Sequence, residues 1–132
     1  MRNAIPGEVD AAGFEVRLEA CSGSLQELVS YLRTSSQHAG EAVVARRFNH
    51  PEPNFGWGVT YYTGSAPFSE IHPKPKEGHV WVHLYGVDAD AVQATGFEPS
   101  VQRGWFKIRV MGEAVRFVHW ILQAYDARST AA

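Results

Sequence analysis

The chain has 132 residues, 45% of them apolar and 20% charged, the balance of one folded domain with a single core rather than of a disordered chain. Twelve basic against fourteen acidic residues leave a formal charge of −2, which excludes a whole-molecule electrostatic grip on nucleic acid or anionic membrane and leaves room only for a local basic patch. The one cysteine, Cys21, excludes an internal disulfide and fits a reducing compartment.

Residues Met1 to Ala12 read as a loose lead-in, broken by Pro6-Gly7 and lacking the apolar segment of a signal peptide. No window approaches the ~20 apolar residues of a membrane span, so the expected location is cytoplasmic, with no membrane partner. Phe14, Val16 and Leu18 alternate with Glu15, Arg17 and Glu19, which predicts a half-buried strand closed by Ser22-Gly23. Ser24-Leu25-Gln26-Glu27 reads as a capping box. It opens a helix whose stripe is Leu25, Leu28, Val29 and Leu32, and Gly40 is the expected stop. Glu41 to Phe48 is a strand candidate, followed by a loop that Pro51 and Pro53 impose.

The centre of the chain, Phe55 to Gly86, holds three strand-like runs and two turns, Thr63-Gly64-Ser65 and Lys74 to Gly78. In the first run Phe55, Trp57, Val59 and Tyr61 point one way. Gly56, Gly58, Thr60 and Tyr62 point the other, and the two glycines leave room for a core helix or a ligand to pack closely. The second runs from Phe68 to His72 and ends at Pro73. In the third, Val80, Val82 and Leu84 oppose His79, Trp81, His83 and Tyr85. Asp88 can cap a short helix through Thr95 that Gly96 stops, and a loop from Phe97 to Gly104 leads to a strand from Trp105 to Val110. Gly112 opens a final helix with an apolar stripe of Val115, Val118, Ile121, Leu122 and Tyr125, and Arg128 to Ala132 form a frayed tail. Links of hairpin length forbid parallel crossovers. The predicted fold is α+β, one domain over residues 1–132, with an antiparallel meander packed against N-terminal and C-terminal amphipathic helices.

Two resemblances follow from these residues. Tyr61-Tyr62-Thr63, Phe68-Ser69-Glu70-Ile71-His72-Pro73, Lys74 to Lys76 and Val80 to Leu84, with Ile121 to Tyr125, resemble a bacterial domain family of unknown function often labelled "predicted transport protein". That resemblance spans roughly Ser24 to Asp126. In other proteins the family is appended to nuclease-like or restriction-associated modules, which implies a nucleic-acid-associated role. The Trp105 to Val110 strand, with a closing helix that carries Tyr125, is more loosely similar to the MmcQ/YjbR family of small α+β proteins. Neither family brings a catalytic motif to carry over. Gly56-Trp57-Gly58 stands where the first family has a lysine before its tyrosine strand.

Chemistry-bearing patterns are sparse. His79 and His83 lie four apart on a strand, ~13 Å, too far to share one zinc. A metal site would need His72 to converge on His79 across a hairpin whose register places His72 beside either His79 or Val80. The sequence holds no Gly-x-Ser-x-Gly elbow and no phosphate-binding glycine loop, and Cys21 has no context of a reactive thiol. No catalytic residue, metal or cofactor is therefore expected. The aromatic residues say more: Trp57, Tyr61, Trp81, Tyr85 and Trp105 all lie on alternating strands. On a shared face they would form a platform for planar ligands or bases, with Arg103, Lys107 and Arg109 near enough to meet phosphate. The same rings could instead cover the sheet or form a subunit interface.

The expected function is non-enzymatic binding of a planar, partly apolar ligand. Trp57, Tyr61, Trp81 and Tyr85 would be the walls, with His83 and Arg109 as polar anchors. The rival readings are a nucleic-acid accessory module and, behind it, a metal-dependent hydrolase built on Glu70, His72 and His79. Sixteen aromatic residues in one small domain also predict a homodimer, joined through an edge strand or the exposed side of Trp57 to Tyr62.

Overall fold

In the computed structural model, which describes residues 12–51 and 55–131, the chain begins with α1 (Ala12–Glu19), α2 (Gly23–Gln37), β1 (Val43–Asn49), β2 (Trp57–Thr63), β3 (Ala66–Lys74) and β4 (His79–Leu84). It continues with α3 (Ala89–Ala94), β5 (Glu98–Pro99), β6 (Trp105–Ile108) and α4 (Met111–Ala131). The six strands form one antiparallel sheet in the order β1-β2-β3-β4-β6-β5, and the fold is α+β. No helix among the described residues is long and apolar enough to cross a membrane.

Strand alternation splits the sheet into two unlike faces. Val59, Ile71, Val82 and Phe106 lie in register across four strands, all with at most 1% of their surface exposed. They meet Leu28, Val29 and Leu32 of α2 and Phe117, Ile121 and Ala124 of α4 in the main core. The opposite face carries Arg46, Thr60, Glu70, His83 and Trp105 in one row, and Phe48, Gly58, His72, Trp81 and Lys107 in the next. No helix among the described residues packs there.

Several elements depart from the sequence reading. The segment around Phe14 is a helix, not a strand. Phe14 and Leu18 are one helical turn apart, so they share a face against the core, while Val16 is 66% exposed. The cap of α2 is Ser22, whose hydroxyl accepts from the Leu25 amide (3.2 Å), so the helix starts ahead of the Ser24 box; it ends at Gln37, before Gly40. β3 runs on through Pro73, which lies opposite Val80 and needs no ladder donor there. The buried face of α4 is Ala114, Phe117, Ile121 and Ala124, rotated away from the expected stripe, so that Val115 and Leu122 face outward. Its helix continues through the expected tail, where Arg128 Nε donates to the Pro67 carbonyl (3.0 Å). The lead-in lies outside the described residues as far as Ala11. Finally, β2 is interior, between β1 and β3, so it offers no edge to a second copy; the sheet's edges are β1 and β5.

Candidate functional site

The helix-free face owes its shape to Gly58. A β-carbon there would fall 2.3 Å from His72 Nδ1, so the absent side chain is the space into which the imidazole of β3 folds. The room beside Gly58 is thus taken by the sheet's own histidine, and that beside Gly56 by the Arg17 guanidinium of α1. Gly56 has φ +66°, a left-handed conformation that breaks the strand alternation. Phe55 consequently lands on the His72 side, away from Trp57, and stacks on Trp105 with centroids 4.1 Å apart.

His72 is fully buried among rings: Phe48 (5.6 Å), His50 (5.6 Å), Phe55 (5.8 Å) and Trp105 (5.3 Å) surround it. Its Nε2 lies 2.6 Å from Glu70 Oε2, and the Tyr85 hydroxyl donates to Glu70 Oε1 at 2.9 Å. Burial pushes the Glu70 carboxyl up, but the hydrogen bonds and charge of its partners outweigh this and hold it below its ordinary value. Burial likewise drives the His72 imidazole down, against the pull of Glu70. The pair is therefore an ionised carboxylate and a neutral ring whose Nε2–H donates. Nδ1 is left without a hydrogen bond; the nearby Gly56 carbonyl is turned to the His50 amide (2.8 Å) instead. Burial, then the charge and hydrogen bond of Glu70, raise the Tyr85 hydroxyl, which stays a donor. His83 stacks on Trp105 (4.6 Å) and lies tilted against Tyr85 (4.1 Å), so four rings from Phe55 to Tyr85 form one continuous series.

Beyond this sealed cluster the face opens into a cleft of ≈ 320 Å³, with Phe55 and Trp81 as apolar walls and Lys74, Glu77, His79 and the 100–102 loop around them. Trp81 is half-buried. The His79 ring meets its edge (5.4 Å), and Lys107 Nζ lies 5.4 Å from its centroid, a cation over a π-face. His79 Nε2 is buried without a hydrogen-bond partner. Burial lowers the His79 imidazole, and the charges of Lys107, Lys74 and Arg109 lower it further against Glu77. The ring is a neutral polar group in a positive field.

The residues expected to form one platform are divided between the faces. Trp81, His83 and Tyr85 share the open face, and Trp105 joins them. Trp57 and Tyr61 lie on the helix side: Trp57 fills the space over Gly13, and Tyr61, 2% exposed, accepts from Arg33 Nε (3.3 Å). Arg109 stands beyond β6, paired with Glu98 and Glu113, and does not line the cleft. The hairpin register is neither of the two expected: His72 lies opposite Trp81 while His79 lies opposite Lys74. Among the described residues no three His, Cys, Asp or Glu side chains gather as a metal site. Phe55 and the 100–102 loop escaped the sequence reading, since only the positive φ of Gly56 and the β5–β6 pairing bring them to Trp81. Compared with protein-family models, with curated proteins and with solved structures, the chain matches none.

Proposed function

We propose that the protein is a binding module that takes a planar, partly apolar ligand in the cleft between Trp81 and Phe55. The observation that carries this reading is Trp81 itself. On a face where the other large rings stack on one another, it turns its surface to a cleft that the His79 ring also lines. A flat ring sliding between Trp81 and Phe55 gains stacking and apolar burial, and polar groups on its rim meet Lys74 and Glu77 at the mouth of the cleft. The sealed Glu70–His72–Tyr85 cluster holds the floor rigid in this reading; with His72 fully buried it is a support and not a reacting group.

Thermal-shift screening against planar metabolites and short oligonucleotides in parallel tests the proposal, because a ligand of the native state raises Tm by mass action. The expected result is a metabolite hit that hardly responds to salt, is lost in Trp81→Ala and survives in Arg109→Ala. Stabilisation by oligonucleotides alone, weakening steeply between about 50 and 200 mM salt, would replace it with the nucleic-acid accessory role.

A further inference from the structure

On the other side of the sheet, a groove of ≈ 340 Å³ lies between α1, α2 and β2, lined by Leu18, Ser30, Arg33, Thr34, His38 and Tyr61 among others. Its polar wall follows from α2, where Ser30, Arg33, Thr34 and Gln37 recur at helical spacing opposite the buried stripe of Leu25, Leu28, Val29 and Leu32. Arg33 is held from two directions. Its guanidinium carbon lies 4.8 Å from the centroid of the Phe14 ring, and its Nε donates to the Tyr61 hydroxyl at 3.3 Å. Among the described residues no carboxylate pairs with it; Glu15 of α1 pairs with Arg47 instead (3.4 Å).

Packing among the described residues thus fixes a cation at a groove and sets no carboxylate against it. With Nε committed to Tyr61, the two Nη atoms remain as a planar fork, the geometry that grips two oxygens of one oxyanion. The Tyr61 hydroxyl already accepts from Arg33, and its own proton is free to donate. Burial raises Tyr61 above its ordinary value despite the charges of Arg33 and Arg47, so that proton is retained. The hydroxyls of Ser30 and Thr34, one turn apart on the wall, offer further donors. Leu18 supplies an apolar edge suited to the carbon part of a ligand.

We propose that this groove is an anion-binding site, in which Arg33 and the Tyr61 hydroxyl together hold a carboxylate or phosphate group carried by a small molecule or a peptide side chain. It is separate from the Trp81 cleft and does not rest on it, since the two lie on opposite faces of the sheet. The groove discriminates by shape as well as charge: two oxygens of an oxyanion take parallel bonds from the fork, whereas a chloride ion must share one centre among the same donors.

The test follows the arginine Nε–Hε resonances while the full chain is titrated with inorganic phosphate and, separately, with acetate, at constant ionic strength kept with chloride. The expected result is a saturable shift at Arg33, and the stronger of the two titrations tells a phosphate site from a carboxylate site. Phosphate or acetate binding measured by calorimetry should weaken at least tenfold in Arg33→Lys, which keeps the charge but loses the fork, and vanish in Arg33→Gln. It should be unchanged in Arg116→Gln, an exposed cation on α4. Tyr61→Phe removes only the hydroxyl and should weaken binding several-fold. A shift that never saturates, that moves all arginines alike, or that persists in Arg33→Lys with wild-type affinity overturns the proposal. Circular dichroism confirms that each variant is folded, and the two conservative variants decide the matter if Arg33→Gln is not.

Discussion

Burial brings the His83 imidazole down to about 4, with the charge of Glu70 opposing and those of His72 and His50 assisting, so the ring is neutral at physiological pH. In the unfolded chain the same ring titrates near 6.5, and between those values the unfolded state binds the extra proton. The stability that His83 contributes is therefore complete above about 6.5 and is lost as pH falls toward 4, on the order of 3 kcal/mol for this residue alone. His72 is depressed in the same direction, and Glu70, ionised in the fold, adds a further loss below the ordinary range of a carboxyl. We expect Tm to be flat above neutrality and to fall steeply from pH 6.5 to 4. His83→Phe, which keeps a ring between Trp105 and Tyr85 without the titration, should flatten that fall. A wild-type Tm unchanged down to pH 4.5 would contradict the assignment.

At the scale of the elements, the N-cap of α2 separates two readings of one serine-rich stretch. Because Ser22, and not Ser24, receives the Leu25 amide, Ser22→Ala should cost about 1 kcal/mol in urea denaturation while Ser24→Ala costs little. The reverse order of costs would restore the capping box. Periodicity is enough for α2 and the alternating strands, each of which has a single period, while the Asp88 cap and the turn glycines mark α3 and the two turns. It misled at Phe14 to Leu18, where side chains spaced by two and by four satisfy a strand and a helix alike. On α4 the apolar residues exceed what one face needs, so spacing alone did not tell the buried Phe117 from the exposed Val115. The site was legible in part: alternation from His79 to Tyr85 aligned Trp81, His83 and Tyr85. It could not relate the parity of β2 to that of β4, which depends on the irregular pairing at Tyr61/Tyr62 and on the hairpin register.

For the whole molecule, the outer face of α4 bears on assembly. Met111, Val115 and Leu122 are 40%, 54% and 41% exposed and, with the half-buried Val118, fall at the alternating spacings of four and three that form a coiled-coil seam. A two-fold axis would set this ridge against its copy and remove both from water. We expect light scattering at high concentration to report a dimer, and Val115→Lys with Leu122→Lys to report a monomer that keeps its circular dichroism. A wild-type chain that stays monomeric would count against it.

The strand order has a consequence for how the chain reaches its native state. From β1 to β4 every strand pairs with its neighbour in sequence, and β5 with β6, so only short loops must close to build most of the ladder. α2 and α4, which pack together over the sheet, are separated by all six strands. Their meeting is the entropically costly step and has little to pack on until the sheet exists. The meander is thus placed to serve as an early template, with α4 arriving late. Substitutions on the inner face of α4, such as Ile121→Val, should then speed unfolding more than they slow folding.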